Sequence, residues 1–374
     1  MKPLQTAILN SFARNIFLDH SAVLACILDI PLIIINENEF IAAKHYYPWC
    51  KSIFIENSSL SYEKIVRDYN VLFFISSVQP VFHLFSHLLN KKLVYVHFPH
   101  GNSDKGYLFD HQKFLKEFDL VLFYGNHMKQ RFINQNTWDK ENEEYLFIGN
   151  LRYEFYRTHK VFYDELVNKE IFSKIDSQKK TLLYAPTWSD TESPTSFYQF
   201  LKMVYTRKQL SNYNILIKPH SRIENENPAK YYQETQEARK LDHVLFLEDY
   251  PLVFPVLEKV DGFIGDFSSI GYDFIFYRRP MFFIDTIGLD ANHPSKRLHQ
   301  CGINFDMNSE QAIQDLQTYL ESWPQEKQEL QRDLYYYSFG DPRSLNKLKD
   351  EIFEKCYNLW EAKLPYSIDI PSEN

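Results

Sequence analysis

The chain has 374 residues, of which 44% are hydrophobic and 24% are charged. This is globular composition in a chain too long for one ordinary core, so we expect two domains. The net charge of −8 argues against a nucleic-acid-binding protein, because such proteins usually present a basic face. Four widely spaced cysteines with no Cys-x-x-Cys pair fit neither a zinc signature nor a disulfide framework, and they indicate a reducing cytosol.

The N-terminal stretch lacks the sustained apolar core of a signal peptide, and the apolar runs are far shorter than a bilayer-crossing segment. We therefore expect a cytoplasmic protein. Peripheral contact with the inner face of the plasma membrane stays open, although a membrane-surface helix is usually net basic and none is evident here.

Short apolar runs alternate with helical patterns through the first part of the chain. Helical patterns cover residues 22–28, 81–89 and 111–118. The apolar runs, which we interpret as strands, are 32–35, 53–55, 71–75, 93–96, 120–123 and 145–148. Near-continuous apolar strands that alternate with helices predict a parallel sheet covered on both faces. We assign this first α/β domain to residues 1–165.

A second series of apolar runs begins after a polar, helix-prone connector at 155–179. Its predicted strands are 181–184, 215–217, 244–247, 263–264 and 281–284. These runs have the same near-continuous apolar character, so we predict a second parallel sheet in a domain over residues 166–340.

The tail is predicted to be helical. Asp341 is a favourable N-cap residue and Pro342 a favourable first helical residue, so we predict a helix over 342–363. Apolar residues recur there at three- and four-residue spacing, so one face should pack on another part of the protein. We expect residues 341–374 to pack back on the N-terminal domain.

Polar and cationic groups follow four of the predicted strands. In open parallel sheets, ligands bind beyond the carboxyl ends of the strands. The four segments at such ends are 97–106, 185–188, 218–222 and 265–269. A cleft between the two domains would set the first segment against the other three.

The segment after strand 263–264 suits a phosphate. Asp266, Ser268 and Ser269 are good N-cap residues before a helical pattern that Pro280 ends. A helix start offers N–H groups and a partial positive charge, and the serines add hydroxyls. The alternative interpretation is an ordinary capped helix.

The segments after two other strands extend this predicted diphosphate site. Lys218, His220 and Arg222 offer positive charge, and Thr187 offers a hydroxyl after Pro186. A plain loop is the alternative for 218–222.

His100 is the candidate general base, because a histidine at a strand end has a pKa near working pH. The alternative is a structural or solvated role, which is the usual one for most of the 13 histidines. His83 and His87 have helical spacing but no third ligand at a recognisable distance, so we assign them a surface or packing role rather than a metal site.

Several familiar motifs are missing. The sequence has no GxxxxGK[ST] loop, no GxGxxG, no Gly-x-Ser-x-Gly elbow and no Asp-x-Asp pair. A diphosphate would therefore be held by protein donors without a metal, and we expect no cofactor.

Taken together, the strand-end segments resemble the CDP-glycerol glycerophosphotransferase family of teichoic-acid synthesis. The resemblance spans roughly residues 93–343. Its pieces are His100-Gly101 with Lys105-Gly106, then 184–188, 218–220, 266–269 with Asp273-Phe274, and Gly340-Asp341.

The resemblance implies a GT-B fold, with two Rossmann-like domains facing across a cleft. It also implies a CDP-alcohol donor and a hydroxyl acceptor on a glycan or lipid-linked glycan, with release of CMP. His100 matches the family's proposed base, while Thr187, His220, Ser268 and Ser269 match contacts to the donor phosphates. On this basis we assign Lys218, Arg222 and Asp266 to the donor side, His220 to catalysis, and Gly101, Ser103, Asp104 and Lys105 to the acceptor side.

Two departures from the family pattern concern the substrates. Family members commonly carry His-Gly-Thr-Pro, whereas this chain has Asn102-Ser103-Asp104 after His100-Gly101. The late segment has Pro342-Arg343 where Gly-Lys is often seen. The chain is about one catalytic module long, which favours a single addition, or a capsule or lipopolysaccharide modification, over a large polymerase.

Two further hypotheses remain at this point. A GT-B glycosyltransferase or epimerase acting on a nucleotide sugar would use the same fold and phosphate donors. A binding protein that kept the fold and lost the activity is the other, because a fold does not fix a function.

Overall fold

The computed structural model describes residues 4–10, 14–104, 115–134, 138, 144–189, 194–288, 290 and 292–363. The chain divides into two compact units. The first unit comprises residues 1–100, 109–155 and 341–374, and the second comprises 101–108 and 156–340. Most of the helix predicted over 111–118 lies outside the described residues.

The first unit is built on a parallel sheet. Its strands among the described residues are β1 (Thr6–Asn10), β2 (Leu32–Ile34), β3 (Ser52–Phe54), β4 (Val71–Phe74), β5 (Val94–His97), β6 (Leu120–Phe123) and β7 (Glu144–Phe147). They form a seven-stranded sheet in the order β3-β2-β1-β4-β5-β6-β7, and every neighbouring pair is parallel.

Burial follows position in this sheet. Interior strands such as β4 (Val71–Phe74) and β6 (Leu120–Phe123) are buried at every residue, whereas the edge strands β3 and β7 are partly exposed. The sequence did not predict β1, which lies in the middle of the sheet. Its apolar core is only Ala7-Ile8-Leu9, and it is buried because β2 and β4 pair with it on both sides.

The second unit contains another parallel sheet. Its described strands are β8 (Thr181–Ala185), β9 (Asn214–Ile217), β10 (Val244–Phe246), β11 (Gly262–Gly265), β12 (Met281–Phe283) and β13 (Ile303–Asn304). They form a six-stranded sheet in the order β10-β9-β8-β11-β12-β13. Five of these strands match predicted apolar runs, and the short β13 was not predicted.

The order of this second sheet reverses between β8 and β11. Strands β8, β9 and β10 extend in one direction from that point, and β11, β12 and β13 extend in the other. Such a topological switch point leaves a crevice beyond the strands' carboxyl ends, where ligands of open α/β sheets bind. The residues that follow Ala185 and Gly265, which are paired across the two strands, therefore lie at this crevice.

Helices alternate with the strands along the chain and cover the sheets. The helices among the described residues are α1 (Leu18–Leu28), α2 (Glu37–Tyr46), α3 (Ser59–Asp68), α4 (Pro80–Leu88), α5 (Asn126–Asn134), α6 (Leu151–Thr158), α7 (Lys160–Glu170), α8 (Phe197–Thr206), α9 (Ser221–Glu226), α10 (Pro228–Arg239), α11 (Phe254–Leu257), α12 (Ile270–Phe274), α13 (Gln311–Glu321), α14 (Gln325–Phe339) and α15 (Leu345–Ala362). None of these helices combines the length and apolar character that a bilayer crossing requires.

The last helix starts later than its sequence signals predicted. It begins at Leu345 after Ser344, so Asp341 does not cap it and Pro342 does not open it. Gly340 ends the preceding helix with a φ of 72°, and residues 341–344 follow without helical structure. Arg343 instead donates to the Phe147 carbonyl and the Glu351 carboxylate, contacts that fix the approach to α15.

The apolar face of α15 packs within the first unit. Leu348, Ile352 and Cys356 are buried, and the helix contacts α1 and β5. Beyond the helix end, the Lys363 ammonium lies 2.8 Å from both oxygens of Asp119, the residue that precedes β6. The tail is thus fastened to the first sheet by apolar burial and by an ion pair.

Candidate functional site

The turns after β8 and β11 meet through Asp266. Its Oδ1 accepts a hydrogen bond from the Thr187 backbone N–H at 2.7 Å, and its Oδ2 accepts one from the Ser196 hydroxyl at 2.8 Å. The carboxylate is fully buried. We predicted Asp266 as a helix cap and donor-binding residue; its described contacts fix Thr187 beside the turn after β11.

Three hydroxyl groups lie at these two strand ends. They belong to Thr187, Ser268 and Ser269, and within the described part of the chain none of them forms a hydrogen bond through its side chain. Ser269 directly precedes α12 without capping it. These hydroxyls are therefore available as donors to a ligand.

The helix that follows is shorter than the sequence suggested. Residues 270–274 are α-helical, a 3-10 turn continues to Tyr277, and Arg278 is left-handed with a φ of 52°. A helix this short has few aligned peptide dipoles, so its macrodipole is weak. Hydroxyls and side-chain cations, rather than a helix dipole, must supply most of the attraction for an anion here.

Gly101 packs directly against this serine turn. Its φ is 139°, a backbone conformation that favours glycine. A Cβ added at Gly101 would lie 2.9 Å from both Cβ and Oγ of Ser269, closer than real contacts allow. The segment that starts at Gly101 therefore reaches Ser269 only because position 101 lacks a side chain.

Asp104 anchors the same segment. Its Oδ1 accepts from the Tyr272 hydroxyl at 2.6 Å and its Oδ2 from the Leu298 backbone N–H at 3.0 Å. Burial, and then the nearby Asp104 carboxylate, raise the pKa of Tyr272 well above its usual value, so this hydroxyl keeps its proton.

These contacts involve residues that we assigned to the acceptor side, an assignment that stays a prediction. Residues 101–104 belong to the second unit, and Asp104 is occupied by the contacts that hold them there. Ser103 is half-buried in the same segment. Lys105, the remaining residue assigned to this side, lies outside the described residues.

The loop after β9 brings a second group to the crevice. His220 precedes α9, and its Nδ1 accepts the Arg222 backbone N–H at 3.2 Å. Because Nδ1 accepts, the neutral ring carries its proton on Nε2 and can donate it to a ligand. The Arg222 guanidinium stacks over Trp188, 4.1 Å from the ring centroid, so the loops after β8 and β9 are in contact.

Lys218 is placed differently from its neighbours. It is buried, and its ammonium donates to the backbone carbonyl of Tyr250. We predicted it as a donor-side cation. Its described contact ties the loop after β9 to the segment after β10.

His299 supports the turn after β11 and was not predicted. Its ring packs between Phe267 and Phe283, with centroids 4.6 Å from each, and its Nε2 lies 3.1 Å from the Asp266 carbonyl oxygen. Burial lowers its pKa to about 4, so the ring is neutral and donates to that carbonyl. No strand precedes His299 directly, so the strand-end rule could not have found it.

A partly buried ion pair follows β12. The Lys296 ammonium donates to Asp285, which also accepts the backbone N–H groups of Ile287 and Gly288. Burial alone would raise the pKa of Asp285, but the hydrogen bond from Lys296 and those two N–H groups lower it. The pair fixes the loop whose far end supplies His299.

In the first unit, His100 follows the carboxyl end of β5. The Phe17 ring meets its ring edge-on, with centroids 5.5 Å apart. Just before it, the Pro99 carbonyl accepts the Tyr124 hydroxyl at 3.3 Å, and that hydroxyl lies 2.8 Å from His20 Nδ1. Since Tyr124 gives its only proton to Pro99, His20 must be the donor to Tyr124.

The other histidines near His100 are held neutral. Burial, then the charge of His100, lower the pKa of His97 to about 3. Burial, followed by Arg152 and His100, lowers the pKa of His20 well below its usual value. Arg152 is itself paired with the buried Asp19 at 2.7 Å. His100 therefore lies near two histidines that stay neutral.

No cluster of three or more histidine, cysteine or carboxylate side chains that could hold a metal ion occurs among the described residues. His83, one member of the histidine pair considered above, packs edge-on against Tyr95 with centroids 4.9 Å apart.

Comparisons with known proteins bear on the segment that holds this site. A family model described as CDP-Glycerol:Poly(glycerophosphate) glycerophosphotransferase matches residues 102–286. Teichoic acid ribitol-phosphate polymerase TarL of Staphylococcus aureus (strain NCTC 8325 / PS 47) is 24% identical over 138 residues, which are 33% of this chain and 22% of that protein.

A second curated relative covers more of the chain. Teichoic acid glycerol-phosphate primase of Bacillus subtilis (strain 168) is 25% identical over 178 residues, or 46% of this chain and 41% of the primase. The matched segments therefore span less than half of either relative.

A solved structure resembles nearly the whole chain. The wall teichoic acid polymerase TagF matches with a TM-score of 0.64 and 17% identity, covering 97% of this chain and 90% of that one. A histidine-to-asparagine variant of TagF soaked with CDPG matches at 0.65. This likeness, with the two parallel sheets, confirms the predicted GT-B fold class. The family model and these relatives together confirm the predicted resemblance to the CDP-glycerol glycerophosphotransferase-like family.

Proposed function

We propose that the chain transfers glycerol phosphate or ribitol phosphate from a CDP-alcohol to a hydroxyl of a cell-envelope glycan or lipid-linked glycan. CMP is released, and no metal takes part. The observation that carries the proposal is the set of three hydroxyls at the switch point between β8 and β11 that have no side-chain hydrogen bond among the described residues. Support comes from the family match over residues 102–286 and from the TagF variant soaked with CDPG.

The donor diphosphate would be held by hydroxyls and nearby cations. Thr187, Ser268 and Ser269 donate to phosphate oxygens, and hydrogen bonds to charged groups are roughly twice as strong as those between neutral groups. The guanidinium of Arg222 adds positive charge, and Trp188 holds it by stacking. Asp266 keeps Thr187 beside the serine turn, so the three hydroxyls form a preorganised set.

His220 would donate to the diphosphate through Nε2. Its Nδ1 already accepts the Arg222 N–H, so the ring orientation and tautomer are fixed. A donor fixed in this way can stabilise the negative charge that builds on the CMP phosphate as the bond to it breaks. This is the sense in which we assign His220 to catalysis.

His100 would act as the general base. The acceptor hydroxyl oxygen attacks the phosphorus on the alcohol side, and its proton passes to the His100 ring. The bond from that phosphorus to the bridging oxygen breaks, and its electron pair leaves with CMP. The neutral His20 and His97 favour this role, because a second imidazolium nearby would oppose protonation of His100. Tyr124 fixes the Pro99 carbonyl beside the base.

Release of CMP from CDP-glycerol or CDP-ribitol, measured in EDTA with a glycan or lipid-linked glycan acceptor, tests this proposal. We expect turnover by the unaltered chain and its loss in His100→Ala, with donor binding retained. His87→Ala, which removes an exposed histidine of α4, is the matched control and should keep full activity. Donor binding without CMP release under all acceptor conditions would indicate a binding protein instead.

A thermal-shift screen separates the proposal from nucleotide-sugar chemistry, because a ligand that binds the folded state raises its stability according to affinity. CDP-alcohols should stabilise the protein more than UDP- or GDP-sugars. The reverse ranking would favour a glycosyltransferase or epimerase.

A further inference from the structure

Asn102 is buried with its polar atoms unsatisfied. Its side chain is 1% exposed, and neither Oδ1 nor Nδ2 has a hydrogen-bond partner in the described part of the chain. A buried amide without partners is costly, and such groups are rare in folded proteins. An apolar residue would fill the position at lower cost, so the amide needs an explanation.

The residues on both sides of Asn102 are firmly placed. Gly101 lies against Ser269 in a conformation that favours glycine, and Asp104 binds Tyr272 and the Leu298 N–H. The open amide is therefore not the result of a loosely packed segment. It stands one residue from the contact with Ser269, one of the hydroxyls we assign to the donor phosphates.

The chemistry of the amide restricts what it can bind. It offers N–H donors and a carbonyl acceptor together. A phosphate at neutral pH has only hydrogen-bond acceptors, so it would leave Oδ1 of Asn102 unsatisfied. An apolar group would leave both Oδ1 and Nδ2 unsatisfied. A hydroxyl both donates and accepts, and a polyol supplies several hydroxyls in a row.

We infer that Asn102 determines specificity for the alcohol portion of the donor by hydrogen bonding one or two of its hydroxyls. The inference rests on the proposed function. The alcohol is covalently attached to the phosphate that Ser269 would contact, so its hydroxyls lie within a few bonds of that phosphate.

Calorimetric titration tests the inference with two ligands: CDP-glycerol, and CDP, which keeps the diphosphate and lacks the alcohol. Asn102→Leu removes both polar atoms at similar size. We expect it to weaken CDP-glycerol binding by about tenfold or more, since a site built around a substrate hydroxyl loses that interaction, and to change CDP binding by less than about twofold.

The free Asn102→Leu protein gives a second, independent readout. Its melting temperature should equal or exceed that of the unaltered chain, because two buried polar atoms without partners are removed. Asn102→Ser, a smaller polar residue that fits the same space, should also weaken CDP-glycerol selectively and covers the case in which the leucine variant does not fold.

Each other outcome overturns the inference. Equal weakening of CDP and CDP-glycerol would place the amide on the nucleotide or phosphate side. A lowered melting temperature with unchanged CDP-glycerol affinity would make Asn102 structural. If the unaltered chain binds neither ligand, the proposed function fails and the inference fails with it. If both variants bind CDP-glycerol as the unaltered chain does, the inference fails but the proposed function does not.

Discussion

At the scale of single residues, Gly101 shows how one missing side chain lets two segments meet. Its φ of 139° is one reason for glycine, and the 2.9 Å that would separate an added Cβ from Ser269 is another; the first comes from the backbone and the second from packing. Gly288 offers a comparison because it also has a positive φ, of 62°, yet an added Cβ there would meet nothing within 4 Å.

Replacing each glycine by alanine separates these two effects. Gly288→Ala should cost about 1–2 kcal/mol of unfolding free energy through backbone strain alone. Gly101→Ala should cost more, because the new methyl group also displaces Ser269, and it should weaken CDP-alcohol binding. Urea unfolding and a donor titration measure both quantities. Equal stability losses with unchanged donor binding would argue against the described contact.

Sequence reasoning placed the candidate hydroxyl and imidazole groups at strand ends, but it did not predict the residues that support them. Thr187, Ser268 and His220 follow strands directly, so the strand-end rule was sufficient to find them. The partners of Asp266 and Asp104 lie tens to hundreds of positions away in the chain, which no local pattern reveals. From the sequence alone we assigned both carboxylates to a ligand site; their described contacts are to other residues of the chain.

At the scale of elements, α15 fastens the end of the chain to the first unit. The buried face that contains Leu348 and Ile352 packs where α1 and β5 meet the helix. Apolar spacing predicted that face correctly. The start of the helix was predicted wrongly because Asp341 and Pro342 form a favourable local signal that the structure does not use.

Leu348→Ala tests the contribution of this face. Leu348 is fully buried, so its truncation should cost about 2–5 kcal/mol through lost burial and the cavity left behind. Leu60→Ala is the control, since Leu60 is 78% exposed and its truncation should change stability by about 0.5 kcal/mol or less. Denaturant unfolding compares the two. Similar small losses would mean that α15 is not packed as described.

Some strands could be predicted from their local sequence, whereas another depends on pairing with distant strands. Runs such as 71–75 and 120–123 are apolar because both faces of a parallel strand are covered, and this pattern is visible in the sequence. The central position of β1 depends on pairing with β2 and β4 rather than on its own short apolar core, so its pattern alone did not reveal it.

At the scale of the whole molecule, buried neutral histidines make stability depend on pH. The folded pKa values of His97 and His299 are about 3 and about 4, and that of His20 is also well lowered. In the unfolded chain all three should titrate near 6.5. Below that pH the unfolded state binds protons that the folded state does not. The free energy of unfolding therefore decreases as the pH is lowered.

The stabilising contribution of these histidines is therefore complete above about pH 6.5 and decreases toward pH 4, by up to about 1.4 kcal/mol per pH unit for each group. Urea unfolding at a series of pH values measures the slope. His299→Gln keeps a hydrogen-bond donor but does not titrate, so it should have a shallower slope than the unaltered chain. Stability that stays constant or rises on acidification would contradict these pKa directions.

We propose that hydroxyls at the switch point of the second sheet hold a CDP-alcohol without a metal. Calorimetric titration of CDP-glycerol in EDTA, into the unaltered chain and a Ser268→Ala, Ser269→Ala double variant, tests it most directly. Each lost hydrogen bond to a charged phosphate is worth about 1.5–3 kcal/mol. We therefore expect saturable binding by the unaltered chain and an affinity roughly a hundredfold or more weaker in the double variant. No binding by the unaltered chain, or equal affinity in both proteins, would contradict it.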